Sequence, residues 1–249
     1  MLPKFEENGM EKKLRIGVMT YWWSQDNYGQ LLQAYALQEY LRQLGHEPFI
    51  IGYTNRKDLK KSPMSERILK IFNPARLINH IKYLYRERRA KMIKEPDRHF
   101  DQFRNEKITI QGSYEEWQEL RDAPPEADLL IVGSDQVWGV LNHSVRSNQN
   151  LFNSYLLKFA NHTAAKMSYA VSIGKSSVLK GYHHALSEEL KGFDYISVRE
   201  YQFANYLSDN HIAYPNCDPD PTLLLSANHY RNVLRDGVRD EIKDETRLP

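Results

Sequence analysis

Hydrophobic positions fall into short, nearly continuous runs divided by polar turns and amphipathic stretches. Leu14-Arg15-Ile16-Gly17-Val18-Met19 predicts a first strand, and Ser24-Gln25-Asp26-Asn27-Tyr28-Gly29 predicts the turn that follows. Apolar residues then recur at Leu31, Leu32, Tyr35, Ala36, Leu37, Tyr40, Leu41 and Leu44, close to helical spacing. Gly45 supplies the stop, and Pro48-Phe49-Ile50-Ile51-Gly52-Tyr53 reads as a second strand. Strand, glycine-containing loop, helix, glycine and strand make a βαβ unit. Such a unit demands a parallel sheet and a right-handed crossover.

From Arg56 to Lys107 the pattern turns charged and helical, interrupted by Pro63, Pro74 and Pro96. Leu77, Ile78, Ile81, Leu84, Tyr85, Met92 and Ile93 form its apolar stripe. Lys82 to Lys94 holds six basic residues and one acidic one. The plain reading is a helical insertion with a solvated basic face; the sharper one is a partner helix or a peripheral membrane contact. The α/β rhythm resumes at Asp128-Leu129-Leu130-Ile131-Val132, an apolar run of the kind buried on both faces of a parallel sheet. Further strands are predicted at Lys166–Val171, Tyr195–Val198 and Ile212–Tyr214. Helices are predicted at Val178–Lys191, Glu200–Ser208 and Ser226–Leu234. The expected fold is α/β, a Rossmann-like doubly wound parallel sheet with a helical insertion. Residues 1–13 form a polar leader and 14–225 the α/β domain, with its insertion at about 56–107. Residues 226–249 form a helix and charged tail.

Composition narrows the class. The 249 residues are 41% hydrophobic, enough for a large core, and the net charge of +2 advertises no nucleic-acid partner. No apolar run approaches the ~20 residues of a membrane span. The first residues are polar and mixed in charge, unlike a signal peptide, and the single cysteine, Cys217, cannot form an internal disulfide. A soluble cytoplasmic protein is the expectation.

In a sheet of this kind ligands lie beyond the carboxyl ends of the strands. Four loops fall there. The first, Thr20 to Gly29, offers Asn27, Gly29 and Gln30 at the start of a helix whose free N–H groups suit an anion, though a plain turn and N-cap explain it as well. The second, Gly133-Ser134-Asp135-Gln136, places three polar side chains behind a glycine directly after the most buried strand. The third, Ser172-Ile173-Gly174-Lys175-Ser176-Ser177, has a superficial P-loop look. That motif needs a glycine where Tyr169 stands, which argues against nucleoside triphosphate binding. In the fourth, Arg199 and Glu200 leave a strand; an arginine fork suits phosphate or carboxylate, and an Arg–Glu surface pair is the plain alternative.

Other candidates are weaker. Asp218-Pro219-Asp220 has metal-like spacing, but its prolines suggest a stiff turn. His183 and His184 adjoin on a helix, where neighbours diverge. Cys217 has no base beside it in sequence. GxGxxG, CxxC and HExxH are all lacking, so neither a metal nor a dinucleotide cofactor is expected.

Five blocks, in order, resemble the polysaccharide pyruvyl transferase family: Asn27 to Leu37 (NYGQLLQAYAL), Asp128 to Trp138 (DLLIVGSDQVW), Ser168 to Gly174 (SYAVSIG), Ile196 to Glu200 (ISVRE) and Asp218 to Leu225 (DPDPTLLL). Departures are Gly139 after the tryptophan, Ile173 within Ser-Ile-Gly, and a variable stretch from Asn142 to Asn150. The resemblance implies a two-domain GT-B-type fold of which this is the N-terminal half, and a role in exopolysaccharide and cell-envelope biosynthesis. The implied reaction moves pyruvate from phosphoenolpyruvate onto a sugar of a polysaccharide or its lipid-linked precursor, forming a ketal. Phosphoenolpyruvate is then a co-substrate, no cofactor is needed, and the work is done in the cytoplasm, at the inner face of the membrane. Arg199 matches the donor-binding arginine. Asn27, Gly29, Gln30, Gly133, Ser134, Asp135, Gln136, Ser172, Gly174 and Glu200 would line the cleft on the acceptor side.

The family's catalytic histidine belongs to a second domain expected after Leu225, where 24 residues remain. His229 matches no motif of that domain, so no catalytic residue is assigned. The expectation is a missing C-terminal domain, which leaves activity of this chain alone open. Two alternatives remain: a nucleotide-sugar glycosyltransferase using Asp218 and Asp220 with a metal, and a non-catalytic glycan-binding or partner-binding half-enzyme.

Overall fold

A computed structural model describes residues 6–7, 10–60, 99–142, 149–174 and 183–233. The heart of the predicted insertion, including the basic stretch Lys82–Lys94, lies outside the described residues, as do Lys175 to Ser177. After a short antiparallel pair of Glu6–Glu7 with Met10–Glu11, the first strand of the main sheet, β1 (Arg15–Met19), is followed by helix α1 (Tyr28–Gln43), strand β2 (Glu47–Tyr53) and the short helix α2 (Arg56–Lys60). Next come α3 (Phe100–Lys107), β3 (Ile110–Tyr114), α4 (Trp117–Asp122) and β4 (Leu129–Val132). After a 3-10 turn (Val137–Asn142) follow α5 (Gln149–Tyr155), β5 (Ala165–Ser168) and α6 (His183–Leu190). Then come β6 (Ser197–Val198), α7 (Tyr201–Asp209) and β7 (Asn216–Cys217), followed by a 3-10 turn (Pro221–Leu223) and a helix over 227–233.

Five strands form one parallel sheet in the order β3-β2-β1-β4-β5. Parallel bridges Met167–Tyr195 and Val171–Val198 carry it on to β6, which pairs in parallel with β7. The chain winds outward from β1 to β3, then returns to place β4 on the other side of β1. The β1/β4 boundary is therefore the topological switch point, where a doubly wound sheet opens a crevice at its carboxyl edge. This is the predicted Rossmann-like architecture.

Strand alternation divides the core into two layers. On β2, Phe49, Ile51 and Tyr53 face one cluster, with Leu130, Trp138, Tyr155 and Phe203, while Ile50 faces the other with Ile16, Val18, Leu37, Leu41 and Phe100. Helices α1 and α3 cover the second face; α4, α5, α6 and α7 cover the first. Burial on both faces is why β1, β2 and β4 read as unbroken apolar runs.

One local expectation is corrected, and three elements appear for which the sequence gives no expectation. The strand expected at Ile212–Tyr214 forms instead at Asn216–Cys217: Ile212 is buried and its N–H returns to Leu207 at the end of α7. Tyr214 is left exposed. Strand β3 was not foreseen. It sits at the sheet edge, half exposed, and its Gly112 has a positive φ of 75°, so its own sequence carries no alternation. Helices α4 and α5 are too short for a periodicity to show. The helix expected at Ser226–Leu234 is present over residues 227–233, and it returns to the same domain: His229 Nε2 lies 2.7 Å from the Tyr35 hydroxyl, and Tyr230 donates to the carbonyl of Thr222.

Candidate functional site

Loops from β1, β4, β5, β6 and β7 meet along the carboxyl edge, and the predicted residues lie in them. On the first, Asn27 caps α1: its Oδ1 accepts from the Gln30 N–H at 3.1 Å, and its own N–H donates to Ser24 Oγ at 3.0 Å. A Cβ on Gly29 would sit 3.3 Å from that capping oxygen. Asn27 and Gly29 thus shape the helix start, the plainer of the two expectations. Gln30 reaches further. It accepts from the Ser24 N–H at 3.0 Å and donates to Asp135 Oδ2 at 3.3 Å, joining the β1 and β4 loops across the switch point.

A deeper joint was not read from the sequence. Gln33, 2% exposed, directs Nε2 at Thr20 Oγ1 (3.0 Å) and at the carbonyls of Tyr21 and Gln30 (2.9 Å each). Its Oε1 accepts the backbone N–H of Ser134 at 3.2 Å. An uncharged amide can donate and accept at once, which is what two facing backbone loops require. The sequence signal for it is a glutamine among the apolar positions of α1, which Gln38, also buried, shares. Arg104 was also missed. It is 6% exposed, donates to the carbonyls of Trp22 (3.1 Å) and Ser24 (2.7 Å), and pairs with Asp101. A residue of the insertion's returning helix thereby holds the β1 loop.

The β4 loop packs tightly. Gly133 has φ 129°, and a Cβ there would meet the Tyr169 carbonyl oxygen at 2.1 Å. Only glycine fits. The Ser134 side chain is fully buried, and among the described residues its Oγ has no hydrogen-bond partner. Asp135 accepts the Gln136 N–H at 2.7 Å, and its backbone carbonyl accepts the Ser172 N–H at 3.2 Å. Gln136 lies against Gly174, where a Cβ would come 2.7 Å from Gln136 Oε1. Trp138 is wholly buried, and its indole N–H donates to the Tyr155 carbonyl at 3.0 Å, anchoring the loop in the core.

Ser172 donates to Glu200 and accepts the Gly174 N–H at 3.1 Å. Among the described residues, the buried Glu200 Oε2 has no hydrogen-bond partner. Arg199 is only partly exposed and pairs with Asp220 (Nη1–Oδ2, 2.7 Å); its Nε is 3.8 Å from Glu200. Asp220 also caps the following turn through the Thr222 N–H and hydroxyl. The structure therefore joins Gln30 with Asp135, Gln136 with Gly174, Ser172 with Glu200, and Arg199 with Asp220.

Electrostatics separate these groups. Burial, with the nearby charge of Asp135, holds the Tyr21 phenol well above the ordinary tyrosine range. Burial and a hydrogen bond to Asp218 push Tyr195 up to about 12. Burial raises the Cys217 thiol, whose Sγ lies 3.4 Å from the Arg199 carbonyl. Asp218 accepts from Tyr195 at 2.9 Å. Among the described residues, no group of three His, Cys, Asp or Glu could hold a metal ion, and no helix is long and apolar enough to cross a membrane.

A family model described as polysaccharide pyruvyl transferase matches residues 27–246. The chain belongs to the polysaccharide pyruvyl transferase family. Neither a curated protein nor a solved structure matches it. The family match spans every loop of the carboxyl edge except the first part of the β1 loop, Thr20 to Asp26. As a member of this transferase family, the chain has a polysaccharide acceptor as its expected kind of partner.

Proposed function

We propose that the chain serves in transferring the pyruvyl group of phosphoenolpyruvate to a sugar of a surface polysaccharide or its lipid-linked precursor, in the cytoplasm at the inner membrane face. A general acid protonates the enol methylene, one sugar hydroxyl attacks C2, and a second hydroxyl closes the ketal as phosphate leaves. One hydroxyl proton is balanced by the new methyl group, the other by the phosphate. Such a donor carries phosphate and carboxylate on three carbons, so its site requires cationic or N–H donors. Arg199 is the residue proposed for it, with Asn27, Gly29, Gln30, Gly133, Ser134, Asp135, Gln136, Ser172, Gly174 and Glu200 around the acceptor.

The observation that supports this reading best is the convergence of the five family-like blocks on one sheet edge, around a switch-point crevice. Arg199 would exchange Asp220 for the donor's anion, since a guanidinium fork accepts either partner. The test is phosphate release from phosphoenolpyruvate with lipid-linked sugar acceptors, with donor binding measured separately. Arg199→Ala should abolish donor binding; unchanged binding removes Arg199 from the site. Turnover of a nucleotide sugar in place of phosphoenolpyruvate would overturn the reading.

A further inference from the structure

Arg199 is already engaged by carboxylates of its own chain. Its Nη1 donates to Asp220 Oδ2 at 2.7 Å, and Glu200 Oε1 lies 3.8 Å from its Nε. A guanidinium forks onto an anion through its two terminal nitrogens, or through Nε and one of them. Here a carboxylate stands at each of those edges. Glu200 is too far from Nε for a hydrogen bond but near enough to repel a second anion there. The end held by Asp220 is therefore the one an incoming anion has to win.

Asp220 is fixed where it stands. Its Oδ1 accepts the Thr222 N–H at 3.0 Å and the Thr222 hydroxyl at 2.8 Å. The residues on either side are pinned in turn. Asp218 donates its N–H to the Val198 carbonyl and accepts from Tyr195, and Tyr169 donates to the Pro219 carbonyl at 3.2 Å. Pro221 is buried, and Tyr230 donates to the Thr222 carbonyl at 2.8 Å. The carboxylate is thus a fixed part of the turn, and the long arginine side chain is the partner with freedom to move. Departure of Arg199 leaves Asp220 with both Thr222 donors, so the exchange costs it one hydrogen bond and not all three.

We propose that Asp220 is a built-in competitor for the donor: its anchored carboxylate holds Arg199 in the resting chain and sets the affinity an anion must exceed to draw the guanidinium away. The inference rests on the reading of Arg199 as the donor arginine and deepens it by giving Asp220 a restraining role. A carboxylate tethered beside its cation acts at a high effective concentration, so a dilute anion making one contact does not displace it. A ligand offering two oxygens to the fork does.

The experiment measures binding of phosphoenolpyruvate and of inorganic phosphate by calorimetry at one near-physiological ionic strength. Wild type is compared with Asp220→Asn, Asp218→Asn and Arg199→Ala, with thermal melts confirming that each variant is folded. Asp220→Asn keeps an oxygen for Thr222 and removes the charge facing Arg199. It should tighten phosphoenolpyruvate roughly three- to fivefold, the factor that releasing a partly exposed ion pair supplies. Asp218→Asn removes the same charge nearby, where the carboxylate serves Tyr195, and should tighten binding by less than about twofold. With no anion present, labelling of Arg199 by phenylglyoxal, read by peptide mass spectrometry, should be faster in Asp220→Asn than in wild type. The competitor is overturned if Asp220→Asn leaves binding unchanged or weaker, if Asp218→Asn tightens it as much, or if labelling is no faster. Phosphate release from phosphoenolpyruvate alongside any of those results would keep the transferase reading and remove the competitor. Anion binding that tightens in Asp220→Asn and is lost in Arg199→Ala, in a protein releasing no phosphate from phosphoenolpyruvate, would remove the transferase reading and leave the competitor standing.

Discussion

The side chain of Gln33 and the backbone of Ser134, 101 residues apart, share a buried hydrogen bond of 3.2 Å across the switch point. Through the other end of its amide, Gln33 grips Thr20, Tyr21 and Gln30, so one side chain sets the relation of the β1 and β4 loops. Gln33→Met keeps the volume and removes every polar partner. We expect a loss of about 2–3 kcal/mol in denaturant unfolding, because buried N–H and carbonyl groups are left unmet. A change below ~0.5 kcal/mol would show that the two loops are held by something else.

Two glycines with positive φ should respond differently. At Gly45, φ 88°, no described residue lies within 4 Å of an added Cβ, so Gly45→Ala costs only the backbone strain, about 1 kcal/mol. At Gly133 the Cβ would meet the Tyr169 carbonyl oxygen at 2.1 Å. Gly133→Ala should cost about 3 kcal/mol or more, or prevent folding. Equal melting points for the two variants would contradict the packing of the β4 loop against β5.

Arg104→Met should loosen the loop from Trp22 to Ser24, since two carbonyls lose a charged donor. A loss of about 2–3 kcal/mol is expected. Trp22 and Trp23 lie in or beside this loop, so a red-shifted tryptophan emission at unchanged secondary structure is the accompanying signal. Unchanged emission would place the hold on the loop elsewhere.

Arg199→Ala provides the contrast. The Arg199–Asp220 pair is partly exposed, and pairs of that kind contribute about 0–1 kcal/mol. Stability should change by no more than that while donor binding is lost. A large drop in stability would make the pair a structural fastening.

Alkaline pH should destabilise the fold. Burial and the charge of Glu39 push Tyr35 up to about 12, and Tyr195 reaches about 12 as well, against an ordinary value of 10.0. The unfolded chain therefore releases these protons first as pH rises. Stability is fully present below pH 10 and falls between about 10 and 12. Tyrosinate absorbance measured with unfolding across that window checks it, and Tyr35→Phe should flatten the decline. A stability that rises from pH 10 to 12 would reverse the assignment.

The chain itself determined the parallel strands β1, β2, β4 and β5, the first βαβ unit and the order of loops along the carboxyl edge. Buried parallel strands must be apolar on both faces, and Leu129-Leu130-Ile131-Val132 states this without help from its neighbours. The blocks around Asn27, Asp135, Ser172 and Arg199 were likewise visible locally. Tertiary structure alone decided what each polar group meets. Gln33 holds Ser134, Arg104 holds Trp22 and Ser24, and Arg199 turns to Asp220, all through partners distant in sequence. It also decided that Ile110–Tyr114 is a strand, because an edge strand is made by pairing with β2 and not by its own alternation. Hydrophobic pattern is a local property of the chain. The partner of a buried amide, guanidinium or carboxylate becomes defined only when the sheet brings distant loops to one edge.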